Sequence, residues 1–273
     1  MSYKMIVLDI DGTLTNDEKK ITPKTLDALK KAQESGIILV LASGRPVAGL
    51  GKLCQELEME KHHGILLAYN GGKLLDAQSR RVLYEKAIPL ERAKAVLRHL
   101  EQFPVSPMVM KEKCLYVPNK DGYKADYESS INDLDIIEVG TLSEFLDFAP
   151  VKILTAAPNE VLSEHMEAMT NPFTEEFSFA MSAPFYLECN MKGINKAASL
   201  DKACQELGID ASEIIAFGDA QNDISMVEYA GLGVAMGNAC EELKAVANEI
   251  TASNNEDGIA VTLEKHLNIV VSQ

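Results

Sequence analysis

The sequence predicts an α/β chain: a doubly wound, Rossmann-like parallel-sheet core into which a second α/β domain is inserted. Three observations carry that expectation. Short continuous aliphatic runs alternate with helical patterns near both ends of the chain, prolines punctuate a different middle, and acidic motifs stand where the aliphatic runs stop. A length of 273 residues exceeds the usual single-domain size and allows two modest domains.

The first run is Met5 to Leu8, followed by a helical pattern from about Pro23 to Gln33. Thr22 is placed to cap that helix, with Pro23 at its first position, Leu26 and Leu29 on its inner face, and Gly36 closing it. A second run, Ile37 to Ala42, leads to a helix from about Val47. Runs apolar on both faces belong to a buried parallel sheet. The alternation resumes with a helix from about Asn195 to Leu207, strand Ile214 to Phe217, a helix from about Asn222 and strand Leu232 to Ala235. The core is therefore expected at 1–83 plus 191–273. Residues 84–190, carrying Pro89, Pro104, Pro107, Pro118, Pro150 and Pro158, are expected to form the insertion. Its clearest elements are a helix from about Leu90 to Gln102, strand Val151 to Ala156, a helix from about Glu160 to Met169, and strand Phe185 to Cys189.

Composition narrows the function. A 47% hydrophobic and 25% charged chain without low-complexity tracts is that of an ordinary globular protein. Forty-one acidic against 26 basic residues give a formal charge of -15. That charge serves solubility, and it also repels nucleic acid and anionic membrane surfaces, so an anionic substrate needs a locally positive pocket. Five scattered cysteines (54, 114, 189, 204 and 240) with no C-x-x-C pair read as reduced, packed thiols. No basic stretch followed by an apolar segment opens the chain, and the longest aliphatic run is 37–42, so a cytoplasmic location is the expectation. The pattern specifies no oligomeric state.

Four elements carry chemistry. Asp9-Ile10-Asp11-Gly12-Thr13 ends the first strand, where ligands bind in open α/β sheets. Asp9 and Asp11 can divide into a nucleophile and a proton carrier, and Gly12 lets the chain turn away. Asp-Gly-Thr alone is also turn chemistry. A calcium loop is excluded, because Leu14 and Lys20 stand where its glycine and its final glutamate belong. Ser43-Gly44-Arg45-Pro46 follows the second strand, where a hydroxyl and backbone N–H groups at a helix start can hold phosphate; a plain helix cap is the alternative.

Lys196 opens the helix after Gly193-Ile194-Asn195 and opposes the helix dipole there. It could neutralise Asp9 and an incoming phosphate, or stand solvated like Lys192 one turn away. Gly218-Asp219-Ala220-Gln221-Asn222-Asp223 follows another buried strand. Asp219 and Asp9 can offer hard oxygen ligands to magnesium, with Asp223 acting directly or through water.

Taken in chain order, these four elements resemble the four motifs of the haloacid dehalogenase superfamily. The Gly193-Ile194-Asn195-Lys196 lead-in, Ala68-Tyr69-Asn70-Gly71-Gly72 and the large insertion are similar to its Cof-type sugar phosphatases. The resemblance implies a core with a specificity cap, and hydrolysis of small phosphorylated metabolites with Mg2+. It places the nucleophile at Asp9, the acid and base at Asp11, and the lysine role on Lys196. It implies backbone donors at Ile10 and Gly44, Ser43 on the phosphate, and Asn222 orienting the phosphate side. The metal then takes the Asp9 carboxylate, the Asp11 carbonyl and the Asp219 carboxylate, with Asp223 beside them. Arg45 and Asn70 are further candidates for contact with substrate. A phosphosugar mutase would need a bisphosphate, a receiver-like phosphoacceptor would stay phosphorylated, and a sugar-transfer enzyme would leave the later motifs unexplained.

Overall fold

The computed structural model describes residues 3–267 and Ile269. The chain divides into two compact units: Met1–Gly44 with Leu50–Tyr84 and Asn195–Gln273, and Arg45–Gly49 with Glu85–Ile194.

The first unit is built on an eight-stranded sheet in the order Glu249–Ile250, Leu232–Ala235, Ile214–Gly218, Met5–Leu8, Ile38–Ala42, Ile65–Ala68, Lys73–Asp76, Val82–Glu85. Pairing is parallel from the first of these strands to Ile65–Ala68, and Lys73–Asp76 then turns back antiparallel. All four residues of Met5–Leu8 are buried, as a strand covered on both faces requires. Met5 and Val7 share a core with Leu200, Ala203 and Cys204 of the helix Lys196–Leu207.

Local chemistry fixes the helix ends. Thr22 caps Pro23–Glu34 by accepting from the Thr25 N–H, with proline in the first turn. That helix ends on Ser35, and Gly36 follows in the left-handed region at φ 88°. Asn195 caps the helix Lys196–Leu207 by accepting from the Ala198 N–H at 2.8 Å. Such a cap contributes about 1 kcal/mol, and here it also fixes where Lys196 leaves the helix.

The second unit has a six-stranded sheet in the order Phe177–Ala183, Tyr186–Met191, Lys152–Ala156, Ser106–Lys111, Cys114–Val117, Asp135–Glu138. It is antiparallel except for its last pair. One face, with Val109, Ile153, Leu187 and Cys189, packs with Val96 and Leu97 of the helix Leu90–Leu100 and Leu162 of Asn159–Thr170. Gly49 groups with this unit because it lies against Asn132, where a Cβ would stand 2.3 Å from the Asn132 Oδ1.

Several elements depart from the sequence expectation. Ser106–Lys111, with a proline inside it, Cys114–Val117 and Asp135–Glu138 are short strands of mixed polarity; the first two pair as a hairpin, and their outer partners, Lys152–Ala156 and Asp135–Glu138, come from farther along the chain. The helix expected from Asn222 begins as a 3-10 turn, Gln221–Asp223, and becomes α-helical only at Ile224–Tyr229. The Asp223 carboxylate takes the Asp219 and Ala220 N–H groups, which tightens the turn before the helix starts. Among the described residues, no helix is long and apolar enough to cross a membrane.

Candidate active site

Three neighbouring parallel strands of the first unit end on predicted residues: Met5–Leu8 before Asp9, Ile38–Ala42 before Ser43, and Ile214–Gly218 before Asp219. Hydrogen bonding continues beyond the strands, since the Asp9 N–H donates to the Phe217 carbonyl at 3.1 Å and the Ser43 N–H to the Leu67 carbonyl at 2.9 Å. The backbone that carries the site is therefore held by the sheet itself.

Lys196 lies at the centre of the acidic cluster. Its ammonium is fully buried and donates to Asp9 Oδ1 at 2.5 Å and Asp223 Oδ1 at 2.6 Å. The other Asp223 oxygen accepts from the Asp219 and Ala220 N–H groups at 3.0 and 3.1 Å. Asp219 is held by the Thr13 hydroxyl at 2.7 Å. Gly12 is needed here twice over: its φ is 87°, and a Cβ would fall 2.4 Å from the Asp219 carboxylate.

A second group gathers around Asn70. Its N–H donates to the Ser43 carbonyl at 2.9 Å, and its side-chain oxygen accepts from Asn222 Nδ2 at 3.2 Å. A Cβ on Gly44 would stand 3.1 Å from Asn70 Nδ2, so the close approach of backbone and amide depends on that glycine. Asn70 has φ 55°, a left-handed conformation that asparagine tolerates better than most residues. Ser43, Gly44, Asn70 and Asn222 thus stand together. Ile10 is buried beside Asp9, and its carbonyl accepts from Thr13 and Thr15. Arg45 belongs to the second unit.

Asp11 differs from Asp9. Its carboxylate pairs with Lys19 at 3.0 Å, both side chains being well exposed, and it is outside the cluster of Asp9, Asp219 and Asp223. Lys19, Thr13 and Asn238, whose Nδ2 donates to the Gly12 carbonyl at 2.8 Å, are site neighbours that the sequence pattern does not single out. Thr13 lies within the first motif and Asn238 follows a strand end, so position is the available signal; Lys19 has none.

Electrostatics set the state of the cluster. Burial pushes the Asp9 carboxyl up to about 8, against the pull of the Lys196 ammonium, and Asp223 and Asp219 push in the same direction as burial. Burial would lower the Lys196 ammonium, but Asp9 and Asp223 together outweigh it and hold it above its ordinary value. Asp219 is likewise raised, first by burial. Three carboxylates thus face one ammonium. Their oxygens lie within 4.8 Å of one another, a hard-oxygen set with surplus negative charge that fits a magnesium ion.

Fold and site define a class: an α/β protein with a lysine-bridged carboxylate cluster at the strand ends of a parallel sheet. The sequence pattern of haloacid dehalogenase-like hydrolases matches residues 6–263. The chain is 31% identical to 5-amino-6-(5-phospho-D-ribitylamino)uracil phosphatase YcsE of Bacillus subtilis, over 95% of this chain and 94% of the relative. It is 28% identical to pyridoxal phosphate phosphatase YbhA of Escherichia coli, over 98% and 100%. A solved haloacid dehalogenase-like hydrolase from Bacteroides thetaiotaomicron superposes with a TM-score of 0.91 at 35% identity, over 97% of this chain and 99% of that one. The chain belongs to the haloacid dehalogenase-like hydrolases, as a Cof-type phosphatase acting on phosphate monoesters.

Proposed function

We propose that the protein hydrolyses phosphate monoesters of small metabolites, sugar phosphates among them, through an aspartyl phosphate on Asp9. The observation that carries this reading is the contact of Lys196 with both Asp9 and Asp223 at the end of the central strands. Asp9 attacks phosphorus in line; the bond to the leaving oxygen breaks, and protonated Asp11 gives that oxygen its proton. Asp11 then takes a proton from water, whose oxygen attacks the aspartyl phosphate and releases inorganic phosphate and free Asp9. Lys196 offsets the negative charge of nucleophile and phosphate, while Ser43 and the Ile10 and Gly44 N–H groups receive the phosphate oxygens. Asn222 orients the phosphate side, supported by Asn70.

Asp9, Asp219 and the Asp11 carbonyl would hold Mg2+, which when bound supplies further positive charge against the repulsion between two anions. Asp223 already accepts from Lys196 and two backbone N–H groups, which suits keeping the set oriented. We assign catalysis to the first unit and substrate selection to the second, including residues 84–190.

Phosphate release from a panel of sugar, nucleotide and cofactor phosphates tests the reading. Asp9→Asn is expected to lower turnover by roughly a thousandfold or more with an unchanged melting temperature. Residual activity above about a tenth of wild type would refute the nucleophile. Release unaffected by chelator would refute the metal.

A further inference from the structure

Asp11 carries the protons of the proposed reaction, yet it stands apart from the cluster of Asp9, Asp219 and Asp223. Its carboxylate is met by the loop that follows the first motif. Lys19 Nζ donates to Asp11 Oδ1 at 3.0 Å, with both side chains well exposed. An isolated bridge pairs Asp11 with Thr15, so the backbone of the acid is tied to the same loop.

That loop is shaped around Lys19. The residue stands in the left-handed region at φ 61°, which lysine seldom adopts. Its N–H donates to the Asn16 carbonyl at 2.9 Å, and the Asn16 side-chain oxygen receives the N–H groups of Glu18 and Lys20, both at 3.0 Å. Three asparagines hold the base of the turn. Asn254 Nδ2 donates to the Thr15 carbonyl at 3.0 Å, and Asn255 receives the Asp17 N–H at 3.1 Å while donating to the Asp17 carboxylate at 3.0 Å. Asn238 receives the Asn254 N–H at 3.0 Å and donates to the Gly12 carbonyl at 2.8 Å, which closes a ring of contacts between motif and loop. An exposed ion pair contributes little to stability, less than a lysine gives up in the left-handed region. Stability therefore does not account for this lysine in this conformation, whereas a task at Asp11 does.

We propose that Lys19 is a positioning residue that holds the Asp11 carboxyl in the orientation from which it passes protons to and from the reacting oxygens. The inference rests on the phosphatase reading, and it divides the work between the two carboxyl oxygens. Oδ1 accepts from Lys19, and Oδ2 carries the proton. A carboxyl protonated on one oxygen still accepts at the other, so the Lys19 contact persists through both steps. In the first step the Oδ2–H bond breaks, and the proton goes to the leaving oxygen as that oxygen's bond to phosphorus breaks. In the second, Oδ2 takes a proton from water while the water oxygen bonds to phosphorus and the Asp9 carboxylate leaves. An exposed carboxyl samples several rotamers, and a displacement of about 1 Å is enough to slow a positioned step about a hundredfold.

Leaving groups of graded acidity test this role. kcat/KM is measured for phenyl, nitrophenyl and dinitrophenyl phosphate in wild type, Lys19→Met, Lys19→Gly, Lys19→Arg and Lys20→Met. The esters share a ring, and kcat/KM covers events up to phosphoryl transfer onto Asp9, so the need for a proton is what changes along the series. Lys19→Met is expected to lower the phenyl value about tenfold and to leave the dinitrophenyl value within about twofold, because dinitrophenolate leaves unprotonated. Lys19→Gly, which suits the left-handed turn, is expected to do the same and decides should Lys19→Met melt early. Lys19→Arg is expected to recover most of the phenyl value, since a guanidinium also donates to a carboxylate oxygen. Lys20→Met removes an equal charge one residue away, where the lysine pairs with Glu18 at 3.0 Å, and is expected to match wild type. An equal loss on all esters in the Lys19 variants, no loss on any, or the same selective loss in Lys20→Met overturns the inference and leaves the phosphatase reading standing. Inactivity of the wild type on every ester removes that reading, and the inference with it.

Discussion

Among the described residues each unit buries one lysine against carboxylates, and the two arrangements differ in place and in charge. Lys196 stands at a helix start among Asp9 and Asp219, each directly after a strand, and Asp223 at the end of the 3-10 turn that follows. Lys152 and Glu188 are inside strands, side by side on a sheet face, with Glu128 coming from a helix. The first set has surplus negative charge, three carboxylates against one ammonium, and so is suited to a cation and a phosphate. The second pairs Lys152 with Glu188 one to one, with Glu128 buried nearby. A cluster at strand ends can turn its charge toward a ligand, whereas one inside paired strands is fixed by their register.

Lys196→Met should break the comparison most severely. It leaves Asp9 and Asp223 buried without a counter-charge, which costs about 3–5 kcal/mol, and it should abolish phosphate release; urea unfolding and the release assay check both. Lys152→Met should cost a similar amount by stranding Glu188, but Lys152→Met with Glu188→Leu should recover most of that stability. No paired apolar replacement at Lys196 and Asp223 should recover activity. If the Lys152 double variant remains as unstable as the single one, the buried pair contributes more than the neutralisation of each charge by the other.

Smaller changes sharpen the same contrast. Gly12→Ala combines a positive φ with a Cβ 2.4 Å from Asp219, so it should cost about 1–3 kcal/mol and lower activity on every ester alike. Gly49→Ala pushes on the Asn132 side chain and, less closely, on the Arg45 Cβ, which should cost about 1 kcal/mol and change the ranking of substrates more than turnover.

The smallest expected effect is a pH slope. Burial raises the Glu128 carboxyl above its ordinary 4.5, in spite of Lys152, the Tyr186 hydroxyl and Arg45. The folded state therefore binds that proton more tightly than the unfolded chain. Its contribution is complete below pH 4.5 and is lost as pH rises through the raised folded value. Melting temperatures across that range should show the slope flattened in Glu128→Gln.

Much of the first unit was legible because its signals are local. A buried parallel strand must be apolar on both faces, a helix cap needs a side chain one turn from its bond, and a left-handed turn needs glycine. Met5 to Leu8, Thr22 and Gly12 all follow from such rules. The carboxylates were legible because sheet topology puts strand ends on one edge, and the lysine through the family resemblance. The turn at Gln221–Asp223 reads as helix in the sequence, since only the folded loop shows Asp223 taking two backbone N–H groups.

By itself, then, the sequence determined the class of fold and the strand-end placement of Asp9, Ser43 and Asp219, while the family resemblance chose Lys196 over Lys192. Tertiary structure decided what those residues touch: Lys196 between Asp9 and Asp223, Asn70 beside Gly44 and Asn222, and Lys19 on Asp11. It alone revealed the buried group at Lys152 and Glu188, 36 residues apart, because strand pairing is set by register between distant segments and leaves no local pattern.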